Sequence, residues 1–248
     1  MLQPYLNNPG AHEFHPARMR LNRLLKEFNI DFTSVEEEQK QEDSEPLIIF
    51  ERSKLANIAE ELAAKNIIGE KNDYQFMDII KYYPEPSAFD ELKNYWCAAF
   101  VYHCALLAGL ELPIKQPPMY NRFAGVGSWY EWGKANGFCY FEKEGFIPAR
   151  GDIVIYNNII PPDNKPKDSA WHDHTGILIS CEKDYFVVAE GNIDNQNVSG
   201  IINRNRDAAI GCFIRIPDNY IYDGWKYDYK EYYMDYMKHH SKKQEDFV

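Results

Sequence analysis

The chain has 248 residues, of which 45% are hydrophobic and 15% are aromatic, and this composition predicts a folded globular protein rather than a disordered one. Its formal net charge of −11 argues against nucleic acid or an anionic membrane as the main partner. The sequence contains no run of 18 apolar residues, so no membrane span is expected.

The cysteine content also limits the class of protein. The five cysteines are Cys97, Cys104, Cys139, Cys181 and Cys212. Their number is odd, and they form neither a C-x-x-C pair nor a cluster with histidine at zinc-ligand spacing. We therefore expect a reduced protein without structural disulfides. The first residues lack a basic start followed by an apolar stretch, so we expect synthesis in the cytoplasm without a signal peptide.

Helical patterns dominate the first 110 residues. Residues 16–28 carry apolar side chains at helical spacing, whereas the polar, acidic segment 35–46 predicts an exposed linker. A second helix is expected to begin near Ser53, and residues 85–87 indicate a break. These features predict helices that precede the rest of the fold.

The next helix is predicted from Asn94, as its N-cap, to Ala108, with Gly109 closing it. Apolar residues occupy nearly all sides of this segment, which is typical of a central, buried helix. Cys97 falls in its first turn.

From residue 151 the pattern changes to short segments rich in β-branched residues, separated by polar turns. The predicted strands cover residues 151–156, 174–180, 185–192, 200–204 and 211–216. Helices followed by antiparallel strands predict an α+β fold.

Cys97 is the first candidate for chemistry. At the start of a helix, free backbone N–H groups and the helix dipole favour a thiolate. The same N–H groups can hold the oxyanion of an acyl intermediate. The alternative is a small buried core residue, which is the common role of a lone cysteine.

His174 is the second candidate. Residues 180–185 are predicted to form a hairpin turn, and the resulting register sets His174 across from residues 190–192. Glu190 and Asn192 point to one face if the strand continues through Gly191. An imidazole between a thiol and a carboxylate or an amide is the arrangement of a cysteine hydrolase. Each histidine alone is equally compatible with a structural role.

Five segments, in order, resemble a known family. They are Tyr95–Gly109, Gly127–Gly137, Pro148–Val154, His174–Ile177 and Glu190–Asn192. Each resembles a segment of the CHAP family, the cysteine- and histidine-dependent amidohydrolase/peptidase domains, and the resemblance covers roughly residues 53–217. It implies a papain-like α+β fold with N-terminal helices packed on an antiparallel sheet.

The resemblance also implies an activity. It implies cleavage of an amide bond in bacterial peptidoglycan, by an N-acetylmuramoyl-L-alanine amidase or an endopeptidase, through a thioester. Cys97 would be the nucleophile and His174 the general base and acid, while Glu190 and Asn192 would orient the imidazole. Some relatives bind calcium through closely spaced aspartates before the cysteine. The corresponding stretch, Phe89–Asn94, lacks them, so neither a metal nor a cofactor is expected.

Aromatic residues and one further histidine near the site are candidate substrate contacts. They are Trp96, Trp129, Trp171 and His172. Trp129 is three residues from Trp132 on a predicted helix, and this spacing favours packing into the core over a substrate contact, because aromatic pairs at helical spacing usually pack inward.

The expected organisation is an extension over residues 1–52, a catalytic domain over 53–217 and a tail over 218–248 with a short helix from Gly224. A protein of this kind would reach the cell wall through phage lysis or a secretion system, as an endolysin or an effector, and the sequence identifies no immunity or delivery partner. The alternatives are a cytosolic amidase that acts on a small peptide conjugate and a catalytically silent binding module.

Overall fold

The computed structural model describes residues 49–83, 87–116, 121–157, 159–160, 172–206 and 210–222. These belong to the second of two units of the chain, Ile48–Val248. The predicted helix over 16–28, the acidic segment over 35–46 and the tail helix from Gly224 lie outside the described residues, as does nearly all of the break at 85–87. The division into extension, catalytic domain and tail therefore stays a prediction.

The described part of the chain begins with helices and ends with strands. The helices are α1 (Arg52–Ala63), α2 (Tyr74–Ile80), α3 (Ala88–Leu92), α4 (Cys97–Leu107) and α5 (Val126–Ala135). The strands are β1 (Lys115–Gln116), β2 (Asn121–Arg122), β3 (Cys139–Tyr140), β4 (Ile153–Asn157), β5 (His172–Cys181), β6 (Tyr185–Glu190), β7 (Gly200–Asn205) and β8 (Ile210–Ile214). Short 3₁₀ turns cover Glu142–Glu144 and Ile193–Asn195.

Local sequence explains where the helices lie. α1 buries a face of small and branched apolar residues that recur at helical spacing, from Leu55 to Ala63. Asp73 begins α2, because its side chain accepts hydrogen bonds from the backbone N–H groups of Gln75 and Phe76. α4 is buried on all sides from Cys97 to Ala105, which confirms the prediction of a central helix.

The strands form a six-stranded antiparallel sheet in the order β3-β8-β4-β5-β6-β7. β1 and β2 form a separate two-stranded sheet. In the β5–β6 hairpin Ile177 pairs with Ala189, and a bulge after Leu178 shifts the pairing so that Cys181 meets Phe186. Helices followed by an antiparallel sheet confirm the α+β prediction.

The two faces of the sheet have different neighbours. Ile153, Ile177 and Ile214 belong to the main core, which they share with α1, α4 and α5. The opposite face carries a smaller apolar cluster that includes Val154, Leu178 and Phe213. Within the described ranges, none of the helices combines the length and the hydropathy needed to cross a membrane.

Candidate active site

The thiol of Cys97 stands at the start of α4. Trp96 occupies the N-cap position, so Cys97 is the first helical residue rather than the third helical residue after an Asn94 N-cap. The prediction of Asn94 as the N-cap is therefore wrong. Asn94 instead lies in the turn after α3, where the N–H of Tyr95 donates to the carbonyl of Leu92. The N–H groups of the first turn have no helical acceptor, and the positive end of the helix dipole lies at the thiol.

His174 lies near the beginning of β5, and its side chain is completely buried. Its Nε2 is 2.8 Å from Oε2 of Glu190, the last residue of β6. The other ring nitrogen, Nδ1, makes no hydrogen bond of standard geometry with the described residues. The pKa of His174 is raised by Cys97 as well as by Glu190, which indicates that the thiol lies close to the ring. The structure thus brings the predicted Cys97, His174 and Glu190 together.

Two glycines make this arrangement possible. A Cβ on Gly176 would lie 2.7 Å from Cγ of Glu190 and 2.6 Å from Cγ1 of Val188. A Cβ on Gly191 would lie 2.5 Å from Cβ of Phe100 and 2.8 Å from the ring of Trp96. The first glycine admits the glutamate side chain next to β5, and the second brings the end of β6 against α4. Only residues without a side chain allow these approaches.

Asn192 is placed differently from the prediction. β6 ends at Glu190, and Asn192 adopts a left-handed conformation with φ of 53°. Its Nδ2 donates to the carbonyl of Asn94 at 2.7 Å, and its Oδ1 accepts from the N–H of Asn197 at 2.9 Å. These contacts connect the loop after β6 to the segment before Cys97. We therefore correct its role from orienting His174 to holding the chain at the beginning of α4.

The charges in the site are strongly coupled. Burial alone would lower the pKa of His174, but the charges of Glu190 and Cys97 outweigh it and raise the pKa to about 10. Burial alone would raise the pKa of Glu190, but His174 and Arg204 outweigh it and lower that pKa. The site therefore favours an imidazolium ion next to an ionised carboxylate.

This coupling predicts a pH dependence of stability. Because the pKa of His174 rises from 6.5 to about 10 on folding, its contribution is fully present below pH 6.5 and is lost as the pH rises through about 10. We expect the free energy of unfolding to decrease by a few kcal/mol, as an order of magnitude, across this window. Urea titrations at pH 6, 8 and 9.5 measure the slope, which should be smaller in His174→Gln. Equal slopes for the two proteins would contradict the coupling.

The sequence analysis missed Arg204. This residue lies on β7, and its Nε and Nη2 donate to the two carboxylate oxygens of Glu190 at 3.0 and 2.6 Å. A signal for it existed in the sequence of β7. Residues 201, 203 and 205 are exposed while Arg204 is buried, so an arginine occupies an inward position of an alternating strand next to β6.

Two of the aromatic candidates for substrate contact, Trp96 and Trp129, do not line a surface. Trp96 and Trp129 are both completely buried. Nε1 of Trp96 donates to Oδ1 of Asn197, and Nε1 of Trp129 donates to the carbonyl of Phe123 at 3.0 Å. We therefore correct Trp96 and Trp129 as substrate contacts, because both side chains pack inside the protein with their polar atoms satisfied, and for Trp129 this confirms the core position that its helical spacing favoured.

The two remaining candidates are not tested by the structure. Trp171 lies outside the described residues, and only the backbone of His172 is described, paired with Asn157. Among the described residues, no group of three or more His, Cys, Asp or Glu side chains is placed to hold a metal ion.

A family model matches this part of the chain. The model of the CHAP domain covers residues 89–192. This segment is similar to CHAP domains and spans less than half of the chain. The matched segment begins before α4 and includes Cys97, His174, Glu190 and Asn192. Arg204 lies beyond it. No curated protein and no solved structure matches the chain.

The similarity to CHAP domains agrees with the observed fold and indicates the class of reaction. The α+β architecture is consistent with the papain-like fold of the family. CHAP domains are in general hydrolases of the amidase or peptidase type. The cysteine and histidine of the site are the residue types that such a reaction requires.

Proposed function

We propose that the protein is a cysteine-dependent peptidoglycan hydrolase that cleaves an amide bond in the peptide of the bacterial cell wall, as an amidase or an endopeptidase. The observation that carries the proposal is the pairing of His174 with Glu190 beside Cys97, at the beginning of a buried helix within the segment that is similar to CHAP domains.

The proposed acylation follows from this geometry. The Cys97 thiolate attacks the amide carbonyl, and the N–H groups of the first turn of α4 stabilise the oxyanion that forms. Nε2 of His174 is engaged by Glu190, so Nδ1 is the nitrogen left to donate a proton to the leaving amine. The C–N bond then breaks and leaves a thioester on Cys97.

Deacylation uses the same residues. His174, now neutral, removes a proton from a water molecule as that water attacks the thioester carbonyl. Collapse of the intermediate releases a carboxylic acid and the thiolate, and the proton remains on the imidazole. Glu190 holds one tautomer of the ring throughout and stabilises its charged form.

One observation favours a second substrate class. The net charge of −11 supplies no attraction to an anionic cell wall. A small peptide-like amide conjugate in the cytosol does not require such attraction. The same thioester chemistry would then act on a soluble substrate.

Digestion of isolated sacculi tests the proposal. We expect the wild-type protein to release soluble fragments, and Cys97→Ala to release none. Mass spectrometry of the new termini identifies the bond as one in the stem peptide, the cross-bridge or the sugar–peptide linkage. Hydrolysis of small amide conjugates without any release from sacculi would overturn the assignment to the cell wall and support the second class.

A further inference from the structure

Arg204 forms the most extensive polar contact in the site outside the predicted catalytic residues. Its Nη2 and the Nε2 of His174 both bind Oε2 of Glu190, at 2.6 and 2.8 Å, while its Nε binds Oε1 at 3.0 Å. This bidentate contact fixes both the position and the rotation of the carboxylate plane. The orientation of Glu190 toward His174 is thus defined from two sides.

Arg204 is itself held in place. Its remaining nitrogen, Nη1, donates to Oδ1 of Asp194 at 2.9 Å, and its guanidinium lies 5.8 Å from the ring centroid of Tyr156. Tyr156 stacks in turn on His174, with ring centroids 6.2 Å apart. The arginine therefore connects β4, β6, β7 and the turn that contains Asp194 around a single imidazole.

Burial makes the charge of Arg204 necessary. Glu190 and His174 are completely shielded from solvent, and the side chain of Arg204 is only 9% exposed. An isolated carboxylate in such a place takes up a proton, because burial disfavours its charged form. A protonated Glu190 would no longer stabilise the imidazolium form of His174.

We propose that Arg204 is a positioning residue for the hydrolase reaction, which keeps the Glu190 carboxylate ionised and turned toward His174. The proposal rests on the proposed function for the roles of Cys97 and His174. Arg204 acts through Glu190 and does not touch the substrate. The charged and titratable groups that face this pair are Cys97 on α4, Tyr156 on β4, Arg204 on β7 and Asp194 in the turn after β6.

Two variants and a double-mutant cycle test the proposal. We expect Arg204→Met to lower kcat roughly 10- to 100-fold with KM little changed, because the base is misplaced rather than the substrate released. Arg204→Lys should recover part of this loss, since it restores the charge but not the bidentate contact. In a Glu190→Gln background, Arg204→Met should cause little further loss, within about twofold.

The pH profile provides a readout that stability alone would not change. Both Arg204→Met and Glu190→Gln should move the basic limb of the rate profile to lower pH. Glu190→Gln removes the carboxylate that raises the pKa of His174, and Arg204→Met removes the cation that keeps this carboxylate ionised and turned toward the ring. Alkylation of Cys97 by iodoacetamide, followed against pH, reports the same change without any substrate. Because this second readout needs no substrate, it tests the role of Arg204 even if the assignment of a cell-wall substrate is wrong.

Arg215 offers a matched control. Its Nε and Nη2 also bind a completely buried carboxylate in bidentate fashion, that of Asp152 at 2.8 and 2.6 Å. Arg215→Met should reduce stability without moving the pH profile of alkylation. If Arg204→Met fails to fold, Arg204→Lys and Asp194→Asn replace it. Asp194→Asn weakens only the contact of Asp194 with Nη1 of Arg204, and asparagine is compatible with the φ of 47° at this position.

The outcomes are distinct. An unshifted or upward-shifted basic limb in the Arg204 variants, or full additivity with Glu190→Gln, would overturn the proposal. A lower melting temperature of the Arg204 variants, with kcat and the pH profile of Cys97 alkylation unchanged, would overturn it as well. Arg204 would then only stabilise the fold, as we expect of Arg215. A downward shift shared with Glu190→Gln, together with non-additivity, supports it.

Discussion

Cys97→Ala should reduce amide hydrolysis by about 10⁴-fold or more, because no other side chain that the structure describes in the site is a nucleophile placed to form the acyl intermediate. The thiol is 5% exposed at the first position of α4, where alanine fits the helix and leaves the fold intact. Initial rates on sacculi, together with a thermal melt, measure the two effects separately.

Cys104→Ala is the matched control for this variant. It removes a thiol from the same helix, but Cys104 lies two turns further on and is completely buried. Burial raises the pKa of this thiol, so it stays protonated. We expect nearly full activity from Cys104→Ala, and an equal loss in the two variants would refute the role given to Cys97.

His174→Ala should cause a loss of similar size through a different step. Without the imidazole the thiol loses its proton acceptor, and the leaving amine loses its proton donor. Iodoacetamide should therefore react with Cys97 more slowly at neutral pH in this variant than in the wild type. An unchanged alkylation rate would show that His174 does not activate the thiol.

Gly191→Ala should reduce both stability and activity, although position 191 carries no chemistry. The added Cβ would lie 2.5 Å from Cβ of Phe100 and 2.8 Å from the ring of Trp96, so the end of β6 must move away from α4. Overpacking of this kind costs about 1–3 kcal/mol. A displacement of about 1 Å at Glu190 and Asn192 lowers turnover by about 100-fold. Urea unfolding and kcat on sacculi measure the two losses.

Gly127→Ala is the control for the glycine variant. Gly127 lies on α5, and a Cβ there would meet nothing within 4 Å. Alanine in a helix is more favourable than glycine by up to about 1 kcal/mol, so this variant should be as stable as the wild type or more so. Wild-type stability in Gly191→Ala would show that β6 can move away from α4 without cost.

The chemistry of the site depends on a balance among buried charges. Glu190 raises the pKa of His174, which favours the imidazolium that protonates the leaving amine in the proposed mechanism. Arg204 and His174 in turn lower the pKa of Glu190, which burial alone would raise. The pair of Cys97 and His174 is therefore supported by a second pair, Glu190 and Arg204, which lies behind the imidazole.

The sequence by itself determined the kinds of elements and their order. Continuous apolar character predicted the buried helix of Cys97, and β-branched runs separated by polar turns predicted the sheet. The turn at residues 180–185 predicted the hairpin and brought His174 near residues 190–192, as the contact of His174 with Glu190 shows. The pairing of Ile177 with Ala189 depends in addition on the bulge after Leu178, which the sequence did not predict. Such features are local, because side-chain periodicity and turn length are properties of neighbouring residues.

The tertiary structure alone decided how separate segments meet. The helix begins at Cys97 because the preceding residues complete the turn after α3, and Asn192 binds Asn94 because the chain turns left-handed after β6. Helical spacing favoured a core position for Trp129, whereas Trp96 is buried because of what packs over it, which residue spacing does not specify. Arg204 reaches Glu190 from the neighbouring strand β7. Strand periodicity assigns an arginine to a face of the sheet, but its long side chain can reach several partners on that face, and only the packed structure selects one.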